Sequence, residues 1–183
     1  VPFFGMISLG YLFIPFFIVV LLATFSTSVI DGIDGLAGGV LAIVFAAYTG
    51  IAFFQNQIDI AAFSGVITGA TLAFLWFNVP PARFYMGETG ILGLTVVLTV
   101  IAFLTDSVLV LPIIALPLVA TSLSVIIQIT YYKATGGKRL FKLAPLHHHF
   151  EAIGWSRSKI TMRYWIVAII SAIIGMIIAV IGI

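Results

Sequence analysis

The stretch YWIVAIISAIIGMIIAVIGI, residues 164–183, contains no charged residue and is long enough to cross a membrane as one helix. The composition of the whole chain of 183 residues is similarly apolar, because 62% of the residues are hydrophobic and only 8% are charged. A soluble domain carries about 25% charged residues, so this composition excludes a water-soluble globular protein. The apolar stretches are continuous rather than alternating, which favours bundled helices over an outer-membrane barrel. The sequence therefore predicts an all-α polytopic integral membrane protein.

Six stretches come close to the roughly 20 apolar residues that a membrane-crossing helix needs. We expect spans at about 11–30, 36–54, 60–77, 90–104, 108–132 and 164–183, within one transmembrane domain of residues 1–183. Pro112 and Pro117 are expected to bend the fifth span, because each removes a backbone donor. The chain starts at Val1 rather than Met and shows no signal peptide, so we expect it to be a fragment of a longer protein.

The charges are distributed unevenly between the two ends of these spans. Every cation falls in the predicted loops 78–89 and 133–163, which lie on one side of a six-span chain, together with the loop 31–35. The other side carries Asp59 and Asp106 but no cation, so the positive-inside rule makes the basic side cytoplasmic. The basic side also collects four carboxylates and all three histidines: Asp31, Asp34, Glu88, Glu151, His147, His148 and His149. Ionisable groups at a membrane are usually functional, and we expect the site there.

The first candidate motif is DGIDGLAGG, residues 31–39. Asp31 and Asp34 would share one face at a helix start, and the glycines allow the backbone to approach a ligand closely. The alternative is that one of the acids simply caps the second helix. Two acids with four glycines exceed what a cap requires, which favours ligand binding.

The second motif is NVPPARFYMGETG, residues 78–90. Glu88 lies at the start of the fourth span, where a carboxylate interacts favourably with the helix dipole. The same carboxylate is a suitable ligand for a hard divalent cation, which takes oxygen donors and keeps waters and substrate phosphates. Tyr85 is placed to stack on a base, although a lone tyrosine at a membrane interface is also typical of an aromatic belt.

The third motif, LAPLHHHFE at residues 143–151, holds every histidine of the chain. Three imidazoles are capable of binding a transition metal, but the chain has no cysteine, and adjacent residues of an extended loop point in different directions. Imidazoles that contact phosphate or move protons suit a setting of basic residues and carboxylates better. A loop that is merely solvated is the remaining alternative.

In this order between spans, the three motifs resemble those of the phospho-N-acetylmuramoyl-pentapeptide transferase family of polyprenyl-phosphate glycosyl-1-phosphate transferases. DGIDGLA is similar to the family's DGLDGLA loop, and residues 78–90 are similar to its NxxPAxxFMGDTG segment. APLHHHFE, followed by Gly154 and Trp155, is similar to its APxHHHFE…GW loop. The resemblance covers essentially the whole chain and implies the C-terminal six of ten helices in a bacterial plasma membrane.

The resemblance also implies a reaction, in which phospho-N-acetylmuramoyl-pentapeptide passes from its UDP carrier to undecaprenyl phosphate, giving lipid I and UMP for peptidoglycan. The implied cofactor is Mg²⁺, and the implied partners are UDP-N-acetylmuramoyl-pentapeptide, undecaprenyl phosphate, membrane lipid and a second copy in a homodimer, with no nucleic acid. By the same resemblance, Glu88 is the metal ligand, and the catalytic residues are Glu88, His147, His148 and His149. The substrate-binding residues that it implies are Asp31, Gly32, Ile33, Asp34, Asn78 and Tyr85.

The chain departs from the family's pattern at four positions. Glu88 stands where the family usually has Asp, Tyr85 where it has Phe, Ser28 where it has Asn and Ile91 where it has Ser. The family's Asp–Asp pair lies on an earlier helix that this sequence does not contain, so the 183-residue piece alone is expected to be inactive. The alternatives are a related transferase for another UDP-N-acetylhexosamine and an inactive membrane fragment.

Overall fold

The computed structural model describes residues 10–182, apart from the side chains of Ser26 and Thr27, so Ile183 of the predicted sixth span lies outside the described residues. Every regular element in that range is helical. The α-helices are α1 Phe13–Phe25, α2 Leu36–Phe54, α3 Ile58–Asn78, α4 Gly87–Leu104, α5 Leu111–Ile114, α6 Leu116–Ala134, α7 Leu146–Ala152 and α8 Arg157–Ile181. Short 3₁₀ turns adjoin them at Gly10–Leu12, Ser26–Ile30 and Val108–Val110.

The prediction of an all-α polytopic membrane protein is confirmed. Five helical segments are long and apolar enough to cross a membrane, and the bent pair Val108–Ile114 and Leu116–Ala134 makes a sixth if it is counted as one span. The two halves of that pair meet at an angle of 83° around Ala115. Pro117 lies in the first turn of α6 and has no N–H with which to continue the hydrogen-bond ladder from α5.

The predicted loop 133–163 contains more helix than expected. α7 lies inside it, and α8 begins at Arg157, ahead of the predicted start of the sixth span at residue 164. Hydrophobicity detects only the apolar part of a helix, and the first turns of α8 are rich in polar residues that are nevertheless compatible with helix. α7 is too short for a hydrophobic period to be visible.

α2 is the central helix of the bundle. Its side chains are buried along most of its length, and it packs against α3 and α8. Helices in a membrane associate through close packing rather than through exclusion of water, and small residues allow that approach. α8 follows this rule, because small residues form its buried stripe while most of its isoleucines are exposed: Ala168, Ala172, Gly175 and Ala179.

Polar contacts hold the end of the bundle where α2 ends and α4 gives way to the bent pair. Gln55 donates from Nε2 to the Thr105 carbonyl at 2.9 Å, and the Tyr48 hydroxyl donates to the Ser107 carbonyl at 3.2 Å. The opposite end is where α2, α4 and α8 begin and α3 ends. The three motif loops therefore meet at that opposite end.

Candidate active site at the junction of three loops

The loop before α2 does not use its acids as helix caps. Gly35, at φ +74°, occupies the N-cap position, and neither Asp31 nor Asp34 makes a capping hydrogen bond to the first turn of α2. Asp34 instead accepts, at Oδ2, a hydrogen bond of 3.1 Å from the Ala82 N–H in the second motif. Asp31 is exposed, and its carboxylate has no hydrogen-bond partner among residues 10–182. The capping alternative is therefore wrong, and both carboxylates are directed towards the second loop or outwards.

Asn78 connects the first loop to the second. Its Oδ1 accepts from the Gly35 N–H at 2.9 Å, and its Nδ2 donates to the Phe84 carbonyl at 3.0 Å. The side chain is buried, so this amide fixes the backbone geometry of both loops. One hydrogen of Nδ2 remains for another acceptor, and the predicted role of Asn78 in substrate binding stays a prediction.

The second loop carries two neighbouring aromatic residues, of which one packs against other rings and the other is largely exposed. The Phe84 ring packs on Phe74 and Phe77, with centroid distances of 5.4 and 5.6 Å. Tyr85 follows it and is 68% exposed. Glu88, in the first turn of α4, is also exposed, at a position where its charge complements the helix dipole. This loop therefore presents a ring and a carboxylate to the outside.

The three histidines lie on the short helix α7, so the prediction of an extended loop is wrong. The first turn of α7 is supported by Ser124, whose Oγ accepts from the Leu146 N–H at 2.9 Å. The Pro145 carbonyl accepts from the N–H groups of His148 and His149. With 3.6 residues per turn, successive side chains still point in different directions.

Two of the histidines are oriented by hydrogen bonds. His148 Nδ1 lies 3.0 Å from Glu151 Oε2, while Arg157 Nε donates to Glu151 Oε1 at 2.6 Å. The hydrogen bonds from Arg157 and His148 hold the pKa of the Glu151 carboxyl below its usual range, so it stays ionised. His149 Nδ1 accepts from the Lys142 N–H at 3.1 Å. These contacts fix both rings relative to the backbone.

His147 brings the third loop against the first. Its ring is fully buried beside His148, and neither ring nitrogen has a hydrogen-bond partner within the described part of the chain. A Cβ on Gly32 would lie 2.7 Å from His147 Nε2 and 3.2 Å from His148 Nε2, so only glycine leaves room for both rings. Buried polar groups are normally paired, so this imidazole lacks the partners that a buried ring usually has.

Protonation of His147 is expected to make the protein less stable in acid. Burial, helped by the nearby His148 and opposed by Glu151, lowers the pKa of His147 to about 4. An unfolded histidine has a pKa of about 6.5, so between these values the unfolded chain binds a proton that the folded chain does not. Stability is full above about pH 6.5 and falls by roughly 3 kcal/mol as the pH drops towards 4.

His147→Gln removes this titration, and the variant is expected to show a flatter stability profile across the same window. Denaturant unfolding in detergent at a series of pH values measures it. Equal slopes for the wild type and the variant would show that His147 does not titrate in this way.

His148→Ala is expected to reduce turnover of the intact protein by about 10- to 100-fold, the value of a lost hydrogen bond to a charged group. Membrane insertion and the elution volume in detergent are expected to stay unchanged, because the ring is part-exposed and its loss leaves no cavity in the core. Activity close to that of the wild type would show that His148 has no part in turnover.

α8 supplies two contacts that the sequence analysis missed. Thr161 Oγ1 donates to the Asp34 carbonyl at 3.1 Å, and Trp165 Nε1 donates to the Gly35 carbonyl at 3.1 Å. A Cβ at Gly39 would overlap the Trp165 ring, so Gly39 makes room for a side chain of α8 rather than for a ligand. The one signal in the sequence was the spacing of four residues between Thr161 and Trp165, which puts them on one helix face.

The described residues do not form a self-contained metal centre. Within residues 10–182, no three side chains of His, Asp or Glu come together around one point. Mg²⁺, however, is usually held by one or two carboxylates, with phosphate and water completing the shell. Glu88 and Asp31 are carboxylates without partners in this range. Glu88 is exposed, whereas Asp31 is exposed on one side only, and desolvation on the other side raises its pKa. A single exposed carboxylate such as Glu88 fits an ion whose shell is completed by substrate oxygens.

Comparison with known proteins places the chain in a family. The profile described as glycosyl transferase family 4 matches residues 1–106. The chain belongs to that family. The phospho-N-acetylmuramoyl-pentapeptide-transferase of Rickettsia bellii is 41% identical to this family 4 chain, over 96% of the chain and 54% of the relative. Those of Listeria innocua and Acetivibrio thermocellus are 43% identical, over 92% and 96% of the chain and 52% and 54% of the relatives.

The family resemblance seen in the motifs is thus confirmed, and this family 4 chain spans about half the length of the named relatives that it matches. The roles of single residues stay predictions. Ile33 is one of them, and its side chain is buried in the core, so only its backbone can contact a substrate.

Proposed function

We propose that the protein transfers phospho-N-acetylmuramoyl-pentapeptide from UDP to undecaprenyl phosphate, releasing UMP and forming lipid I for peptidoglycan. The observation that carries the proposal is the junction of the three motif loops. Gly35 bonds to Asn78, Asp34 bonds to Ala82, and the rings of His147 and His148 lie against Gly32. Relatives named for this activity align along nearly the whole chain.

The first and second loops are proposed to hold the UDP moiety. Tyr85 offers an exposed ring on which uracil can stack. The Asp31 and Asp34 carboxylates, with the backbone of Gly32 and Ile33, are proposed to face the uridine, and Asn78 keeps one amide hydrogen for the substrate. The hydrogen bond from the Gly35 N–H to Asn78 and the one from Thr161 to the Asp34 carbonyl fix the loop backbone beforehand, so less ordering is needed when the nucleotide binds.

Mg²⁺ is the proposed cofactor, and Glu88 is its proposed protein ligand. When bound, the ion offsets the negative charge of the pyrophosphate and of the departing UMP. Glu88 has no ion-pair partner among the described residues, so its carboxylate is free to bind a cation. A glutamate reaches further than the family's usual aspartate by one methylene, and the exposed side chain of Glu88 has room to adjust its position.

The third loop is proposed to contact phosphate. Burial keeps His147 neutral, and its two unpartnered ring nitrogens make it a donor at one atom and an acceptor at the other. His148 donates from Nδ1 to the ionised Glu151, which orients its Nε2 towards the Gly32 loop. A histidine held in this way is suited to contact a phosphate oxygen or to move a proton.

The site is proposed to face the cytoplasm across a bacterial plasma membrane. The positive-inside rule supports this orientation, because every cation of the chain lies in the loops at this end, in the last turn of α6 or in the first turns of α8. A homodimer is proposed as the assembly on the basis of the family.

Release of UMP by the intact protein tests the proposal. The assay contains detergent, Mg²⁺ and undecaprenyl phosphate, with either UDP-N-acetylmuramoyl-pentapeptide or UDP-N-acetylglucosamine as donor. We expect release with the first donor and none with the second. A preference for UDP-N-acetylglucosamine would contradict the proposal and identify a related transferase instead.

We further propose that the 183-residue chain alone does not catalyse this transfer. It spans about half of its relatives, and the family's Asp–Asp pair is not in its sequence. Turnover by this chain with both substrates and Mg²⁺ would contradict that statement.

A further inference from the structure

An apolar cavity lies beside α8. It has a volume of about 380 Å³ and occupies the space that the bend at Ala115 opens between α6, α7 and α8. Its walls are almost entirely apolar, with Leu116, Pro117 and Ala120 on α6, Phe150 on α7 and Val167 on α8. Its one cationic wall residue is Arg163, next to the start of the apolar part of α8. The cavity is therefore at the depth where a membrane lipid changes from headgroup to chain.

Two cations share one aromatic ring at the rim of this cavity. Arg163 Cζ lies 4.0 Å from the centre of the Trp155 ring, and Lys159 Nζ lies 5.2 Å from it. Phe150 is stacked parallel to Trp155 at 4.7 Å and supports the ring. The ring attracts both cations but does not neutralise them, and neither has a carboxylate partner in residues 10–182, since Glu151 is paired with Arg157 and His148.

We propose that this cavity binds an anionic bilayer phospholipid, with its phosphate against Arg163 and Lys159 and part of one acyl chain between α6 and α8. The charge complements the cations, and the apolar walls complement the chain. Basic residues at the cytoplasmic end of a membrane helix attract anionic headgroups. This proposal does not depend on the transferase reaction.

The geometry of α8 separates this cavity from the proposed substrate site. Thr161 and Trp165 contact the loop before α2. Lys159 and Arg163 each lie two positions earlier, which is more than half a turn around the helix. A phosphate held by these cations is therefore on the far side of α8 from the Asp31 loop, which favours a structural lipid over the polyprenyl phosphate substrate.

Native mass spectrometry of the purified protein, titrated with phosphatidylglycerol or phosphatidylcholine, tests the proposal. We expect one phosphatidylglycerol to bind more tightly than phosphatidylcholine. Lys159→Gln and Arg163→Gln are each expected to weaken phosphatidylglycerol binding about fivefold. Lys138→Gln, which removes an exposed cation away from the cavity, is the matched control and is expected to leave binding unchanged.

Two further experiments test whether the cavity holds an acyl chain and whether its ligand is phosphatidylglycerol or undecaprenyl phosphate. Ala120→Phe fills the cavity and is expected to weaken phosphatidylglycerol binding at least tenfold, whereas Ala62→Phe, on an exposed position of α3, is expected to have no effect. Added undecaprenyl phosphate is expected not to displace phosphatidylglycerol. Displacement would assign the cavity to the substrate and overturn the proposal, as would equal binding by the wild type and both charge variants. If Ala120→Phe does not fold, the charge variants alone decide.

Discussion

Replacing Glu88 with alanine in the intact protein is expected to abolish Mg²⁺-dependent turnover, with a loss of roughly 10³-fold or more. Glu88 is the one acid of the second motif, it is exposed at the start of α4, and no cation of the described chain pairs with it. Its removal leaves the proposed metal without its protein ligand on this loop. The rate of UMP release over a range of Mg²⁺ concentrations measures the effect.

Two conservative variants make this prediction specific. Glu88→Asp keeps a carboxylate and restores the family's usual residue, so turnover is expected to be retained. Glu88→Gln keeps the shape but not the charge and is expected to behave like alanine. The side chain is exposed, so Glu88→Asp is expected to unfold at the temperature of the wild type. Glu88→Ala and Glu88→Gln lose only the helix-dipole interaction of about 0.3–1 kcal/mol and are expected to unfold slightly lower. Full activity in Glu88→Ala would remove this residue from the metal site.

Gly39→Ala is expected to destabilise the protein by about 2–4 kcal/mol and to reduce turnover with it. The new methyl group overlaps the Trp165 ring, which is held in place by its hydrogen bond to the Gly35 carbonyl. Overpacking of this kind costs about 1–3 kcal/mol, and loss of the hydrogen bond adds about 1 kcal/mol. Denaturant unfolding in detergent measures the stability, and UMP release measures the effect on the neighbouring loop.

The matched control is Gly69→Ala, a glycine in the membrane helix α3 with open space around it. Alanine has the higher helix propensity by up to about 1 kcal/mol, so this variant is expected to be neutral or slightly more stable. Trp165→Phe combined with Gly39→Ala is expected to recover part of the stability, because the smaller ring leaves more room. Equal effects of the two glycine variants would contradict the contact between Gly39 and Trp165.

The fold class and the meeting of the loops follow from simple physical constraints in the sequence. A chain with so few charges has no stable alternative to the membrane, and spans joined by short turns place every second loop on the same side. The cations, Asp31, Asp34, Glu88 and the histidines therefore had to share one end of the bundle. Pro117 likewise had to interrupt a helix, since it lacks the backbone donor.

Other features depend on tertiary contacts that no local pattern encodes. Asp34 was a plausible cap in the sequence, but its carboxylate bonds to Ala82 because Asn78 brings the second loop beside it. α7 forms because Ser124, distant in sequence, accepts from its first N–H group. Gly39 was expected to face a ligand, yet α8 places Trp165 against it. In each case the contacting residue lies on a different helix or loop, so the contact is set by how the helices pack.

Hydrogen–deuterium exchange of the intact protein with UDP-N-acetylmuramoyl-pentapeptide and Mg²⁺ tests most directly whether the three loops form one site. The account predicts that exchange slows in residues 31–35, 78–89 and 142–151 together, with the same dependence on nucleotide concentration. The turn of residues 55–57, at the opposite end of the bundle, is expected to be unaffected. Slower exchange in only one of the three stretches, or different concentration dependences among them, would contradict a single shared site.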